Sequence, residues 1–229
     1  KEMLMHLGFA PNWTNPNTRY GPTTADYVRD FQRYFGLYEN GMIDSVTKAK
    51  LEYEYSRPIE SGMRRPDIRI LKEKLVLLGF ADWPNPNNCL CSESTKVLEE
   101  FQSYYGLEES GWAGPETLAK LDEELANAYR IGDYNEGVRT FKQGLLKLGI
   151  ATNWSNPNQN FGPKTEDYVR DFQKYYGLRV TGVVDSKTRE KMELELNTPF
   201  QDGNRSETIR EYKEMLMHLG FAPNWTNPN

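Results

Sequence analysis

Cys89-Leu90-Cys91 places the chain's two cysteines one residue apart. Three chemistries are open at that spacing: a tight local disulfide, a cross-link to another chain, and a pair of free thiols. Zinc is excluded by ligand count, because a structural site takes four ligands and there is no second Cys pair or His cluster. The two histidines, His6 and His218, occupy one position of a repeated segment. No nucleophile or carboxylate stands near them at a spacing that acid–base or nucleophilic catalysis uses, so they read as surface residues. Trp13, Trp83, Trp154 and Trp225 recur in one loop context. One Trp per repeat suits a platform for stacking a sugar ring. The alternative is a ring that packs the loop onto its own helices or onto the next repeat. Trp112 stands where sister repeats carry Met42 and Val183; it is open to two readings, a partner contact and a volume swap, and the swap is favoured.

Composition narrows the function further. Lys+Arg number 28 against 33 Asp+Glu, a formal net charge of −5 over 229 residues. A mildly acidic chain without a basic run does not suit nucleic acid, which is held by clustered Lys and Arg. No apolar stretch reaches the length of a membrane-spanning helix, so no membrane insertion is expected. Aromatic residues at 13% place the chain among folded proteins. No phosphate loop, nucleophile–base set or metal set is present, so neither a cofactor nor enzymatic activity is expected.

The positioning elements repeat. MHLGFAPNW at Met5–Trp13 returns as VLLGFADW at Val76–Trp83, LKLGIATNW at Leu146–Trp154 and MHLGFAPNW at Met217–Trp225. DYVRDFQRYFGL at Asp26–Leu37 returns at Lys96–Leu107 and Asp167–Leu178. Phe31, Phe101 and Phe172 are thus 70 and 71 residues apart. Residues 1–17 are identical to residues 213–229, an offset of 212, or three repeats. That identity exceeds the likeness between neighbours and points to a three-repeat block duplicated in a longer parent, of which this chain is a window.

Each repeat predicts three helices. Ile68, Leu71, Leu75 and Leu78 form one stripe, matched by Val138, Phe141, Leu145 and Leu148 and by Ile209, Tyr212, Leu216 and Leu219. Gly21-Pro22, Gly114-Pro115 and Gly162-Pro163 mark helix starts, because proline is favoured at the first helical position. Asp44 and Asp185 are N-cap candidates. Gly36, Gly106 and Gly177 are stops. The Arg57-Pro58-Ile59 and Thr198-Pro199-Phe200 connectors are short, which favours regularly stacked neighbours. The expected fold is all-α: tandem three-helix bundles of about 71 residues in an extended array. The expected divisions are 1–57, 58–127 (with the Cys-x-Cys loop), 128–198, and 199–229 as the first helix and loop of a following repeat.

Phe161-Gly162-Pro163-Lys164-Thr165, Tyr168-Val169, Phe172-Gln173, Gly177-Leu178 and the run from Gly182 through Asp185 to Thr188 resemble the peptidoglycan-binding-like family of three-helix domains. The arrangement is most similar to long repeat proteins secreted by Gram-positive spore-formers. The resemblance implies a non-catalytic, extracellular, cell-surface or wall-associated protein, with peptidoglycan as a partner. Asn15–Asn17, Asn85–Asn87 and Asn156–Asn158 depart from the family's Asp-Gly in the loop beside the presumed ligand groove. The repeat organisation favours a fibre or surface scaffold made with other copies of the same protein, end to end or laterally. The alternative is a peptidoglycan-binding array that tethers a secreted hydrolase.

Overall fold

The computed structural model describes residues 1–13, 16–152, 154–198 and 207–221. Trp225 and the connector beyond Thr198 lie outside them. Among the described residues the chain is helical: α1 (Glu2–His6), α2 (Pro22–Tyr34), α3 (Ser45–Ser56), α4 (Pro66–Leu77), α5 (Ser92–Tyr105), α6 (Pro115–Asn127), α7 (Glu136–Lys147), α8 (Pro163–Tyr175), α9 (Ser186–Leu196) and α10 (Glu207–His218). The chain is all-α and built as tandem helical repeats. It divides into two units, Lys1–Ala128 and Tyr129–Asn229.

Local chemistry sets the helix limits. Pro22, Pro66, Pro115 and Pro163 open α2, α4, α6 and α8, where a missing N–H costs nothing. The Asp44 and Asp185 carboxylates accept the Thr47 and Thr188 amides, both at 2.8 Å. Past α2, Gly36 takes φ 66° and the Leu37 amide bonds back to the Gln32 carbonyl at 2.8 Å, a Schellman ending. Gly106 and Gly177 repeat it beyond α5 and α8.

The stripes meet inside each repeat. Leu4, Leu7, Phe9, Val28, Phe31 and Leu51 form the first core. Val138, Phe141, Leu145, Phe161, Val169, Phe172 and Met192 form the third. Burying one such side chain contributes about 1.5–3 kcal/mol. The third repeat has Phe141 for Leu71 and Ile150 for Phe80, so ring volume moves from the loop to the first helix. α10 carries the expected stripe, yet none of its residues is buried.

A glutamine on the second helix organises each core's polar edge. Gln32 Nε2 donates to the Met42 carbonyl (2.9 Å) and the Thr47 hydroxyl (3.0 Å), and Oε1 accepts the Gly41 amide (2.9 Å). Gln102 binds Trp112, Thr117 and Gly111 in the same way, and Gln173 binds Val183, Thr188 and Gly182. These fully buried amides tie the second helix to the following turn and to the start of the third helix.

The stretch after α3 belongs to the second repeat. Ile59 exchanges two backbone hydrogen bonds with Ala113, and Arg64 bridges Cys89. Tyr129 with Val184 and Tyr134 with Asn160 do the same in the third.

Within the first unit, repeats one and two share a close seam. A Cβ at Gly8 would lie 2.7 Å from the Asp67 nitrogen and 2.8 Å from the Pro66 carbonyl carbon. The Tyr34 hydroxyl donates to the Arg64 carbonyl at 2.7 Å. Arg65 reaches the Glu54 carbonyl (2.8 Å) and carboxylate (3.3 Å) from Nη1, and grips Asp67 through Nε and Nη2. Lys50 joins Glu54 from the other side at 2.6 Å.

Candidate carbohydrate-binding site

The recurring Trp is built by three parts of its repeat: the first helix, the loop after it and the start of the second helix. Lys72 projects from α4 with Nζ 4.6 Å from the centre of the Trp83 ring. The same ammonium donates to Asn87 Oδ1 (3.1 Å) and the Cys89 carbonyl (3.5 Å). In the third repeat Lys142 lies 4.7 Å from the Trp154 ring centre and donates to Asn158 Oδ1 (2.9 Å) and the Asn160 carbonyl (3.2 Å). In the first, Lys1 lies 5.2 Å from the Trp13 ring centre and donates to Asn17 Oδ1 (2.7 Å) and the Arg19 carbonyl. The Asn oxygen in turn accepts the amide two residues on, from Arg19, Cys89 or Asn160. Asn17, Asn87 and Asn158 therefore each open an Asx turn closed over a lysine.

Charge and ring support each other here. An ammonium above an indole face gains about 0.5–2 kcal/mol as it loses water. Burial pushes the Lys72 and Lys142 ammonium groups below the ordinary lysine value, and Glu93 draws Lys72 partly back. The rings are further held edge-on, Trp13 against Tyr27 at 4.9 Å and Trp154 against Tyr168 at 4.8 Å. Trp83 instead donates its Nε1–H to Glu93 at 3.2 Å. All three rings stay half-buried. The lysine takes one surface of each ring, and the exposed remainder is what a sugar could meet.

Trp112 behaves differently. It is 52% exposed, as Met42 is at the same position of the first repeat (59%), so it fills no core volume and stands open to solvent. With Pro58, Leu107, Glu108, Ser110 and Glu116 it lines an open cleft of about 480 Å³ in the second repeat. An exposed indole with two carboxylates and a hydroxyl beside it is a surface that suits a polar ring ligand. The signal was present in the sequence as a Trp unique to one repeat.

Other flagged residues fall elsewhere. Cys89 and Cys91 are joined by a disulfide across Leu90. His6 packs edge-on to Tyr55 at 4.9 Å, beside the seam with the second repeat. Asp26 and Asp30 pair with Arg29 and Arg33 on the solvent face of α2. Among the described residues, no group of three His, Cys, Asp or Glu side chains is placed to hold a metal ion, and no helix is long and apolar enough to cross a membrane.

The chain is 33% identical over 91 residues to a probable CtpA-like serine protease of Staphylococcus saprophyticus, covering 40% of this chain and 17% of that protein. It is 36% identical over 59 residues to a type VI secretion system spike protein of Vibrio cholerae, covering 26% and 6%. It is 23% identical over 155 residues to a probable N-acetylmuramoyl-L-alanine amidase of Bacillus licheniformis, covering 58% and 44%. The chain thus spans less than half the length of each. One family, described as "Putative peptidoglycan binding domain", matches residues 1–51, 64–121 and 134–192, more than half of the chain in three tandem copies, and the chain belongs to that family.

Proposed function

We propose that this chain is a non-catalytic, extracellular array that holds a longer protein on peptidoglycan. The observation that carries the reading is the threefold family match, one copy per helical repeat. The relatives support it: a probable protease and a probable amidase each match this chain over less than half of their own length. Three weak sites on one chain also raise overall retention, because each bound site keeps the others near the polymer. The exposed edges of Trp13, Trp83 and Trp154 and the Trp112 cleft are the surfaces assigned to sugar contact.

Sedimentation with purified, protein-free peptidoglycan tests the proposal. The chain should pellet with the polymer. Trp83→Ala combined with Trp154→Ala should lower retention at least about tenfold while the helical circular dichroism stays unchanged, since one lost stacking contact weakens binding by about 1–3 kcal/mol in comparable ring stacking. A chain that stays in the supernatant at every polymer concentration sinks the reading.

A second reading, a fibre or surface scaffold of repeated blocks, is favoured by the 17-residue identity at an offset of 212 and by the close seam of repeats one and two. Electron microscopy of native material tests it. Thin filaments with an axial period of three repeats support it, and short monodisperse particles refute it.

A further inference from the structure

We infer that Cys89–Cys91 is an exchangeable disulfide, a site where an incoming thiolate becomes joined to Cys91 as a mixed disulfide. The two sulfurs are unequally placed. Cys89 is 4% exposed beside the buried Leu90, whereas Cys91 is exposed and caps the start of the 14-residue α5. Only Cys91 is open to attack from solvent.

The loop does not depend on the sulfur–sulfur bond. In the second repeat Leu90 exchanges backbone bonds with Met63 (3.0 Å) and Gly62 (2.7 Å), and Arg65 donates to the Asn88 carbonyl (2.9 Å). The third repeat makes the same three bonds without cysteine: Phe161 with Asp133 (2.9 Å), Gly132 with Phe161 (3.0 Å) and Asn135 with Gln159 (3.2 Å). Leu90 and Phe161 plug their cores equally, and Lys72 and Lys142 tie down the same carbonyl. Asn160 and Gly162 stand where the cysteines stand. A disulfide closing so small a ring also removes little freedom from the unfolded chain, so its value as a staple is at the low end.

The exchange balances as follows. A thiolate attacks the Cys91 Sγ, a new sulfur–sulfur bond forms, and the Cys89–Cys91 bond breaks. Its electron pair leaves on the Cys89 Sγ, which takes up a proton from solvent. Lys72 holds an ammonium against the carbonyl of that same residue. Return attack by the Cys89 thiolate expels the incoming thiol and restores the ring. A second external thiolate instead attacks the outer sulfur of the mixed disulfide, departs joined to it as the external disulfide, and frees Cys91, whose sulfur takes up a proton to give the dithiol. The inference does not rest on sugar binding, since the exchange alters only the two sulfurs.

The probe is reduced glutathione at millimolar concentration, followed by rapid alkylation and peptide mass analysis. Glutathione should be found on Cys91 and the alkyl group on Cys89, favoured at least about tenfold over the reverse. Cys89→Ser, which removes the return attack, should convert fully to the mixed disulfide when given oxidised glutathione. A disulfide-linked dimer through Cys91 in a half-reduced sample, seen on a non-reducing gel, would support the site with a second copy as the thiol source. Reduction of the chain, or Cys89→Ser with Cys91→Ser, should shift Tm by about 3 °C or less. Glutathione on Cys89, a pair inert to both thiol sources, or a Tm loss beyond about 10 °C would overturn the inference.

Discussion

Arg65 and Asn135 stand at the same point of successive repeats, one residue before α4 and α7, and they finish that helix end with opposite chemistry. Asn135 turns inward. Its Oδ1 accepts the Val138 amide at 3.0 Å, an N-cap on its own helix. Arg65 leaves its helix uncapped and reaches back to Glu54 on the preceding repeat while holding Asp67. Two residues on, the Asp67 that completes the ion cluster is replaced by Gly137, whose hydrogens face the Tyr129 hydroxyl. The bundle interior is repeated with little change, as the three Gln hubs show. The start of the first helix is written separately in each repeat. A buried ion cluster adds little net stability over apolar packing, but it penalises any arrangement that separates its members. The Arg65 cluster therefore specifies how the second repeat sits on the first.

The largest break in this comparison comes from Arg65→Ala. Arg65, Asp67 and Glu54 are all at most 6% exposed, so the variant strands the Asp67 carboxylate, leaves Glu54 with Lys50 alone, and should cost about 3–5 kcal/mol in urea unfolding of the first unit. Replacing Arg65, Glu54 and Asp67 together by Met, Leu and Leu should recover most of that loss. Gln102→Ala and Gln173→Ala should each cost about 2–4 kcal/mol, because turn amides and a threonine hydroxyl lose their partner. Equal costs would show that the bundles are alike where the helix starts are not. Gly8→Ala and Gly149→Ala share the strain of a left-handed backbone, about 1–2 kcal/mol. Gly8→Ala should lose at least about 1 kcal/mol more, because its Cβ meets the Pro66–Asp67 backbone while Gly149 has open space. Asn135→Ala should cost about 1 kcal/mol, the value of an N-cap. If Asn135→Ala matched Arg65→Ala, the contrast between the two helix starts would fail.

Much of this was legible beforehand. Gly-Pro pairs, Asp-to-Thr caps and stop glycines act through the nearest few residues, so helix limits at Pro22, Asp44 and Gly36 could be read directly. The joints could not. Arg57-Pro58-Ile59 read as a connector, because a single-residue bridge such as Ile59 with Ala113 has no alternating pattern to betray it. Glu54, Arg65 and Asp67 meet only through tertiary packing, with no period in the sequence. Lys72 and Lys142 carry no signal in the sequence, since only the folded loop brings an indole and an Asn oxygen to the ammonium. The Gln of each Phe-Gln pair was visible as a motif, but its task needed the turn that follows. Trp112 was judged by volume, while its exposure depends on which way the turn faces.

The smallest effect concerns pH at the joint in the first unit. His6 keeps much of its area in solvent, yet the protein packed round its ring lowers its pKa below 6.5. Asp67 and Asp122 pull the other way, and Arg65 and Lys74 reinforce the shift. A depressed folded value means that the unfolded chain binds the proton first. The stability involved is therefore present above pH 6.5 and declines as pH falls through the folded value. Urea midpoints should drop modestly between pH 7.5 and pH 5, and His6→Gln should flatten that slope without changing the pH 7.5 midpoint by more than about 0.5 kcal/mol. A slope unchanged in His6→Gln would take the pH response off this ring, because Asp67, whose carboxyl is pushed up by burial, works in the opposite direction and loses stability as pH rises.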